Sequence, residues 1–211
     1  MGSRITRFGT ALADWSSRLL LAAGVLFVGH AAVRGIEAFT TLPTPVDVFG
    51  PVGYVVALLG LLGLVSMGID RTGVLDRLAA AIAGLLLPAW AALAVWNLAE
   101  AAALLPSVST VVPESLFVGL LLATLLTYLL VAAATRRGDE HHRTVTLLLV
   151  APAGLLVVLL VGGVALSVAP AVGGVIIGVG LATIHLALGA RLATGSASTA
   201  RVSAAADSTV E

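Results

Sequence analysis

The 211-residue chain has no cysteine and no lysine; all eleven of its basic residues are arginine. Without cysteine there is no disulfide, no thiolate metal site and no cysteine nucleophile. Without lysine there is no amine for a retinal or pyridoxal Schiff base. Charge of either sign is scarce. Only 10% of residues are charged, against about 25% in an ordinary soluble domain. The basic and acidic residues cancel to a net charge of zero, and no basic stripe exists, so nucleic acid is not an expected partner. Also missing are a glycine-rich phosphate loop with its lysine, a His-Glu-x-x-His pair and a Gly-x-Ser-x-Gly elbow. No enzyme chemistry and no cofactor are therefore expected.

What the chain does have is apolar length: 59% of its residues are hydrophobic. A soluble domain of this size lacks the interior to hide so much apolar surface. Six stretches, at about 18–39, 48–68, 78–104, 114–135, 144–168 and 171–193, reach the ~20 residues a helix needs to cross the hydrocarbon of a bilayer. They are far longer than barrel strands and do not alternate. The expected fold is all-α, a six-helix transmembrane bundle, with the lipid bilayer as its first partner. Pro43, Pro45, Pro106 and Pro113 mark loops, Pro51 and Pro170 open spans, and Pro88 and Pro152 fall inside or near spans where a kink is expected.

Arginine placement gives a topology. Arg4, Arg7 and Arg18 precede or open the first span. Arg71 and Arg77 lie between spans two and three, Arg136, Arg137 and Arg143 between four and five, and Arg191 and Arg201 at the C-terminal end. The other three loops carry none. The positive-inside rule then places both termini in the cytoplasm of a cell membrane. Residues 1–17 place Ile5, Phe8, Leu12 and Trp15 at helical spacing opposite Arg4 and Arg7. That pattern fits an amphipathic interfacial segment or a helical extension of the first span. The small, polar stretch 195–211 reads as a disordered cytoplasmic tail. No internal repeat is evident.

Against this background the run "GHAAVRGIEAF" stands out. His30, Arg34 and Glu37 are spaced i, i+4, i+7 and share one helical stripe near the outer end of span one. Trp96, Asn97 and Glu100 lie at similar depth on span three, and Asp47 and Glu114 flank the outer mouths of spans two and four. Arginine stays charged and must find an anion or water. An Arg34–Glu37 or Arg34–Glu100 pair is expected, with His30 as a deeper neighbour. His30, Arg34, Glu37, Asn97 and Glu100 form the candidate polar cluster, either a helix lock or an outward-opening solute or proton site.

His185 in span six is a secondary candidate. Its expected depth differs from that of His30 by about 10 Å at ~1.5 Å per residue, too far for both to ligate one haem. A helix–helix hydrogen bond is its simpler role. The adjacent His141 and His142 beside Asp139 and Glu140 fit a solvated loop better than a metal site. Gly174, Gly178 and Ala182, and Gly53 with Ala57, are ridges of small residues for close helix packing. Packing within the bundle is their default use and a homodimer face the lesser one.

The stretches "AAVRGIEAFTTLPTPVDVFGPVGYVVALLGLLGL" and "IHLALGARLATG" resemble multi-span membrane proteins of halophilic archaea. There a His/Arg-Gly first span is followed by a Gly-Pro-x-Gly second span and a histidine-containing last span. The resemblance covers most of the membrane part and implies no activity. Two classes of function follow. One is a non-enzymatic accessory, assembly or sensory membrane component, with other membrane subunits or a second copy as partners. The other is a small-solute or ion transporter, proton-coupled in one form, using the outer cluster.

Overall fold

The computed structural model describes residues 2–67, 73–135, 140–166 and 170–207, with side chains described over 11–66, 73–135, 143–161 and 171–194. Asp139, Glu140, His141 and His142 lie outside the described side chains, as do Arg4, Ile5, Arg7, Phe8, Arg71, Arg136, Arg137 and Arg201. Among the described residues the regular structure is all helix: α1 (Gly2–Phe39), α2 (Phe49–Met67), α3 (Val74–Ala101), the short α4 (Val108–Val111), α5 (Glu114–Thr135), α6 (Glu140–Leu166) and α7 (Pro170–Asp207). All but α4 contain a segment long and apolar enough to cross a membrane.

The outer surfaces agree with lipid as the solvent. Val25, Leu85, Val95, Leu122, Val157, Val158, Val161 and Val179 are all more than half exposed, on five of the six long helices. Water does not tolerate apolar surface of this extent, whereas hydrocarbon is its matching solvent, and helices satisfy their own backbone groups there. This is the construction of an integral membrane protein.

Glycines set how closely the helices approach. Along α1 and α2 the close meetings run in opposite order: Gly29 on Phe49, Phe27 on Gly53, Leu20 on Gly60 and Leu12 on Gly63. Along α1 and α7 they are Arg34 on Gly174, Ala31 on Gly178, Gly24 on Leu186 and Leu21 on Gly189. Both pairs are therefore antiparallel. A Cβ at Gly178 would lie 2.9 Å from the Ala31 Cα, so backbone meets backbone there. The small-residue ridges of α2 and α7 are thus filled from within the chain, by α1.

From this tight triplet the packing continues α2 on α3, α3 on α5, α5 on α6 and α6 back on α7, with α2 also meeting α5. The helices close a circuit in chain order. Fully buried Leu20, Leu58, Leu61, Leu149 and Leu188 fill its interior. The connections α1–α2 and α3–α5 lie at one end of the bundle, here termed the loop end.

Element limits differ from the sequence reading at several helix ends: α3 and α6 begin at Val74 and Glu140, about four residues earlier than expected. The third span stops at Ala101 instead of 104, because the chain turns there. Ala103 N–H donates to Glu100 O at 2.9 Å and Leu104 N–H to Ala99 O at 2.8 Å. Ala103 has φ 56°, so this is a Schellman-type stop with alanine where glycine is usual. At the N-terminus α1 is one continuous helix from Gly2 to Phe39. At the other end α7 continues to Asp207, past residue 195 where the polar composition reads as a disordered tail. Alanines at 197, 200 and 204–206 favour helix more than the serines among them oppose it. Pro88 and Pro152 lie inside α3 and α6, both of which run on through them.

Candidate functional site

At the loop end the chain leaves α1 through Thr40, whose hydroxyl donates back to Ile36 O at 2.7 Å, and crosses Pro43 and Pro45. It then folds Asp47 back over α1. The Asp47 carboxylate accepts the Gly50 N–H at 3.1 Å, which satisfies one of the orphan donors at the start of α2. It also accepts a hydrogen bond from His30 Nδ1. Arg34 Nε stands 4.0 Å from the same oxygen. Gly50 makes room for this: a Cβ there would sit 2.9 Å from His30 Nδ1 and 3.0 Å from Asp47 Oδ2.

The electrostatics of Asp47 follow. Burial alone would raise its carboxyl, but the His30 hydrogen bond and charge, the Gly50 N–H and Arg34 outweigh that and hold it below its ordinary value. Its side chain is 13% exposed.

Arg34 Nη1 donates to Glu37 Oε2 at 2.7 Å. Its aliphatic arm rests on Gly174 of α7, where a Cβ would lie 3.1 Å from Arg34 Cδ. From α3, Asn97 Nδ2 donates to the Asp47 backbone carbonyl at 2.7 Å. One loop residue thereby gathers His30, Arg34 and Asn97 from two helices, and Arg34 extends the junction to a third.

Of the residues singled out from the sequence, His30, Arg34, Glu37 and Asn97 come together, and Glu100 does not join them as a partner of Arg34. Among the described residues the carboxylate partners of Arg34 are Glu37 and Asp47. The expected Arg34–Glu100 pair is replaced by another contact: Glu100 Oε2 accepts the Val108 N–H at 2.9 Å. Because the chain turns at Ala103, the start of α4 returns over Glu100, and its free N–H groups and positive dipole end attract a carboxylate. Trp96 secures the same connection, its Nε1–H donating to Pro106 O at 3.0 Å. The sequence reading placed Asp47 only at the mouth of the bundle. Its position three residues before Gly50, after two loop prolines, is the signal that it caps α2.

A second buried polar group lies deeper. His185, fully buried, donates from Nδ1 to Leu181 O on its own helix at 2.6 Å. A carbonyl can only accept, so in the neutral ring Nε2 is the acceptor. It receives the Tyr128 hydroxyl of α5 at 2.5 Å. Phe27 lies 5.0 Å from the His185 ring and meets Tyr54 edge-on. Tyr54 stacks on Trp90 at 4.2 Å, and Trp90 Nε1–H donates to Thr124 Oγ1 at 3.0 Å. His185 thus makes the helix–helix hydrogen bond expected of it, with both ring nitrogens engaged. Both tyrosines of the chain belong to this interior chain of aromatic contacts.

One polar atom stands apart. Asn97 is 8% exposed, and among the described residues its Oδ1 has no hydrogen-bond partner. Turning the amide over does not remedy this. It would set Oδ1 against the Asp47 carbonyl, acceptor against acceptor, so the orientation with Nδ2 toward that carbonyl is the one the hydrogen bonding requires. Comparison with known protein families, curated proteins and solved structures returned no match to the chain.

Proposed function

We propose that this protein is a non-enzymatic integral component of the cell membrane, an accessory, assembly or sensory unit with both termini in the cytoplasm. The loop end, free of arginine outside the Arg34 junction, then faces outward under the positive-inside rule. The resemblance to membrane proteins of halophilic archaea is compatible with this reading.

The observation that supports it most is the state of the ionisable groups within the bundle. His30 and Arg34 engage Asp47, Glu37 engages Arg34, Glu100 holds the start of α4, and His185 is held by Tyr128 and Leu181. Of these contacts His30–Asp47, Glu100–Val108 and Tyr128–His185 tie different elements together. A reactive centre instead needs a nucleophile and base aimed at a common point. On this reading Asp47→Asn lowers the melting temperature of the purified protein, while liposomes containing either form take up ions and small solutes no faster than empty ones. Uptake by the wild type that Asp47→Asn abolishes without a change in melting would overturn it. The second reading, a small-solute or ion transporter opening at the loop end, draws on one observation: among the described residues Asn97 Oδ1 is buried without a hydrogen-bond partner.

A further inference from the structure

The connection from α3 to α5 carries no charge: from Ala101 to Pro113 the sequence reads AAALLPSVSTVVP. Its apolar side chains nevertheless stand open. Leu104 is 77% exposed, and Leu105 and Val111 are exposed as well. The α1–α2 connection, at the same end of the bundle, is built alike. Residues 38–46 hold no charge, and Phe39 and Leu42 are both exposed. Apolar surface of this kind is costly in water.

The α3–α5 connection does not stand away from the bundle. Past the turn at Ala103 it comes back beside Trp96, whose Nε1–H donates to Pro106 O at 3.0 Å. Trp96 lies five residues before the end of α3, ~7.5 Å along the helix at ~1.5 Å per residue. On either side of Trp96, α3 presents exposed Val95 and Leu98, and the start of α5 presents exposed Leu116 and Val118. The open leucines of the connection therefore continue the apolar outer face of the bundle. Its backbone is paired as contact with hydrocarbon requires. Leu104 N–H donates to Ala99 O at 2.8 Å, Val112 N–H to Val108 O at 2.9 Å and Val108 N–H to Glu100 Oε2, while Pro106 and Pro113 have no N–H to pair. Exposed Phe39 and Phe49 add aromatic rings at this end, where a membrane–water boundary favours them.

We propose that the loop end is a lipid-docking surface. Leu104, Leu105 and Val111, with Phe39 and Leu42 of the α1–α2 connection, sit at the boundary between headgroups and acyl chains, and Ser109 and Thr110 of α4 face water. The bilayer is the occupant because the patch is continuous with the lipid-facing helices and offers no charge to a polar partner. A surface docked in this way fixes how deep the bundle sits, since sliding it outward would draw these side chains into water. The proposal rests on the reading of the six long helices as membrane spans. It holds whichever side of the membrane the loop end faces.

The test is spin-label accessibility in the full-length protein, held in phosphatidylcholine nanodiscs whose two faces are both open to water. The chain has no cysteine of its own, so Leu104→Cys, Val111→Cys, Ser109→Cys and Val95→Cys each carry one nitroxide. Oxygen concentrates in hydrocarbon and a nickel(II) chelate stays in water. Labels at Leu104→Cys and Val111→Cys should be relaxed more by oxygen than by the chelate, as at Val95→Cys on the outer face of α3, and Ser109→Cys should show the reverse. Leu105→Cys serves if either loop variant does not fold. Chelate exceeding oxygen at both Leu104→Cys and Val111→Cys, with oxygen still dominant at Val95→Cys, overturns this proposal alone. Shielding of both loop positions from both reagents also overturns it, since protein would then cover the surface. Chelate dominant at Val95→Cys as well overturns the reading of α3 as a membrane span and this proposal with it.

Discussion

Asp47 acts through few atoms. Its carboxylate is held below its ordinary value in the folded protein, so ionisation favours the folded state. That contribution is complete above the unfolded value, near 3.8, and is lost as pH falls below it toward the folded value. Melting curves between pH 6 and about pH 3 should therefore show Tm falling at the acid end. Asp47→Asn should start lower and fall less over the same range. At neutral pH, loss of charge-assisted hydrogen bonds of this kind costs about 1.5–3 kcal/mol. At the deeper site the arithmetic differs. Tyr128→Phe leaves His185 Nε2 buried without a donor and should cost about 1–3 kcal/mol. Adding His185→Leu should recover part of the loss, since two apolar groups facing each other leave nothing unsatisfied. A double-mutant cycle in chemical denaturant measures this coupling; strictly additive losses would show that the Tyr128–His185 hydrogen bond does not contribute. Little of this is legible in the sequence. His30, Arg34 and Glu37 show as a stripe because helical spacing puts them on one face. Asp47 shows only as a loop acid, because the fold of a proline-bracketed loop has no period. The partner of Glu100 is a backbone N–H, which no pattern of side chains can mark, and Tyr128 and His185 are 57 residues apart.

Between helices, the distances left by glycine decide how α1 packs. Gly178 faces the Ala31 backbone, and a Cβ there would be 2.9 Å from its Cα. Backbone cannot give way as a flexible side chain can, so Gly178→Ala should separate α1 and α7 and cost about 1–3 kcal/mol. Gly154, where an added Cβ would meet nothing within 4 Å, is the control. Gly154→Ala should be neutral or stabilising by up to about 1 kcal/mol, the usual difference between these residues in a helix interior. Equal effects of the two substitutions would deny that α1 and α7 meet at Gly178. Here the sequence is a better guide. The small-residue ridges at Gly53 and at Gly174, Gly178 and Ala182 are visible in the residue pattern alone, because close approach requires small residues at helical spacing. Which helix fills them is not visible, since the α1 residues that face them are of mixed size: Phe27 meets Gly53, Ala31 meets Gly178 and the arm of Arg34 meets Gly174. The six long helices are legible for a plainer reason. Hydrocarbon thickness fixes a minimum apolar length, and each helix has it. Their ends are less so: α3 stops early on an alanine at φ 56°, a conformation for which composition advertises only glycine.

The long helices close into one circuit, five of them with strongly exposed apolar faces. Among the described residues, His30, Arg34, Glu37, Asp47 and Glu100 lie toward the loop end, and Arg18, Arg77, Arg143 and Arg191 lie toward the other. That asymmetry is the physical basis for the proposed orientation, because translocating arginine across the bilayer is disfavoured. The absence of cysteine makes the orientation directly measurable, since one introduced thiol gives no background. Ser109→Cys places it in α4 at the loop end, and Thr194→Cys places it on α7 at the opposite end; both native residues are exposed. Intact cells treated with a membrane-impermeant maleimide should label Ser109→Cys and leave Thr194→Cys unlabelled until the membrane is opened. Labelling of Thr194→Cys in intact cells, with Ser109→Cys protected, would contradict the orientation and move the Asp47 junction to the cytoplasmic side. Labelling of both in sealed cells would contradict the bilayer-spanning circuit itself.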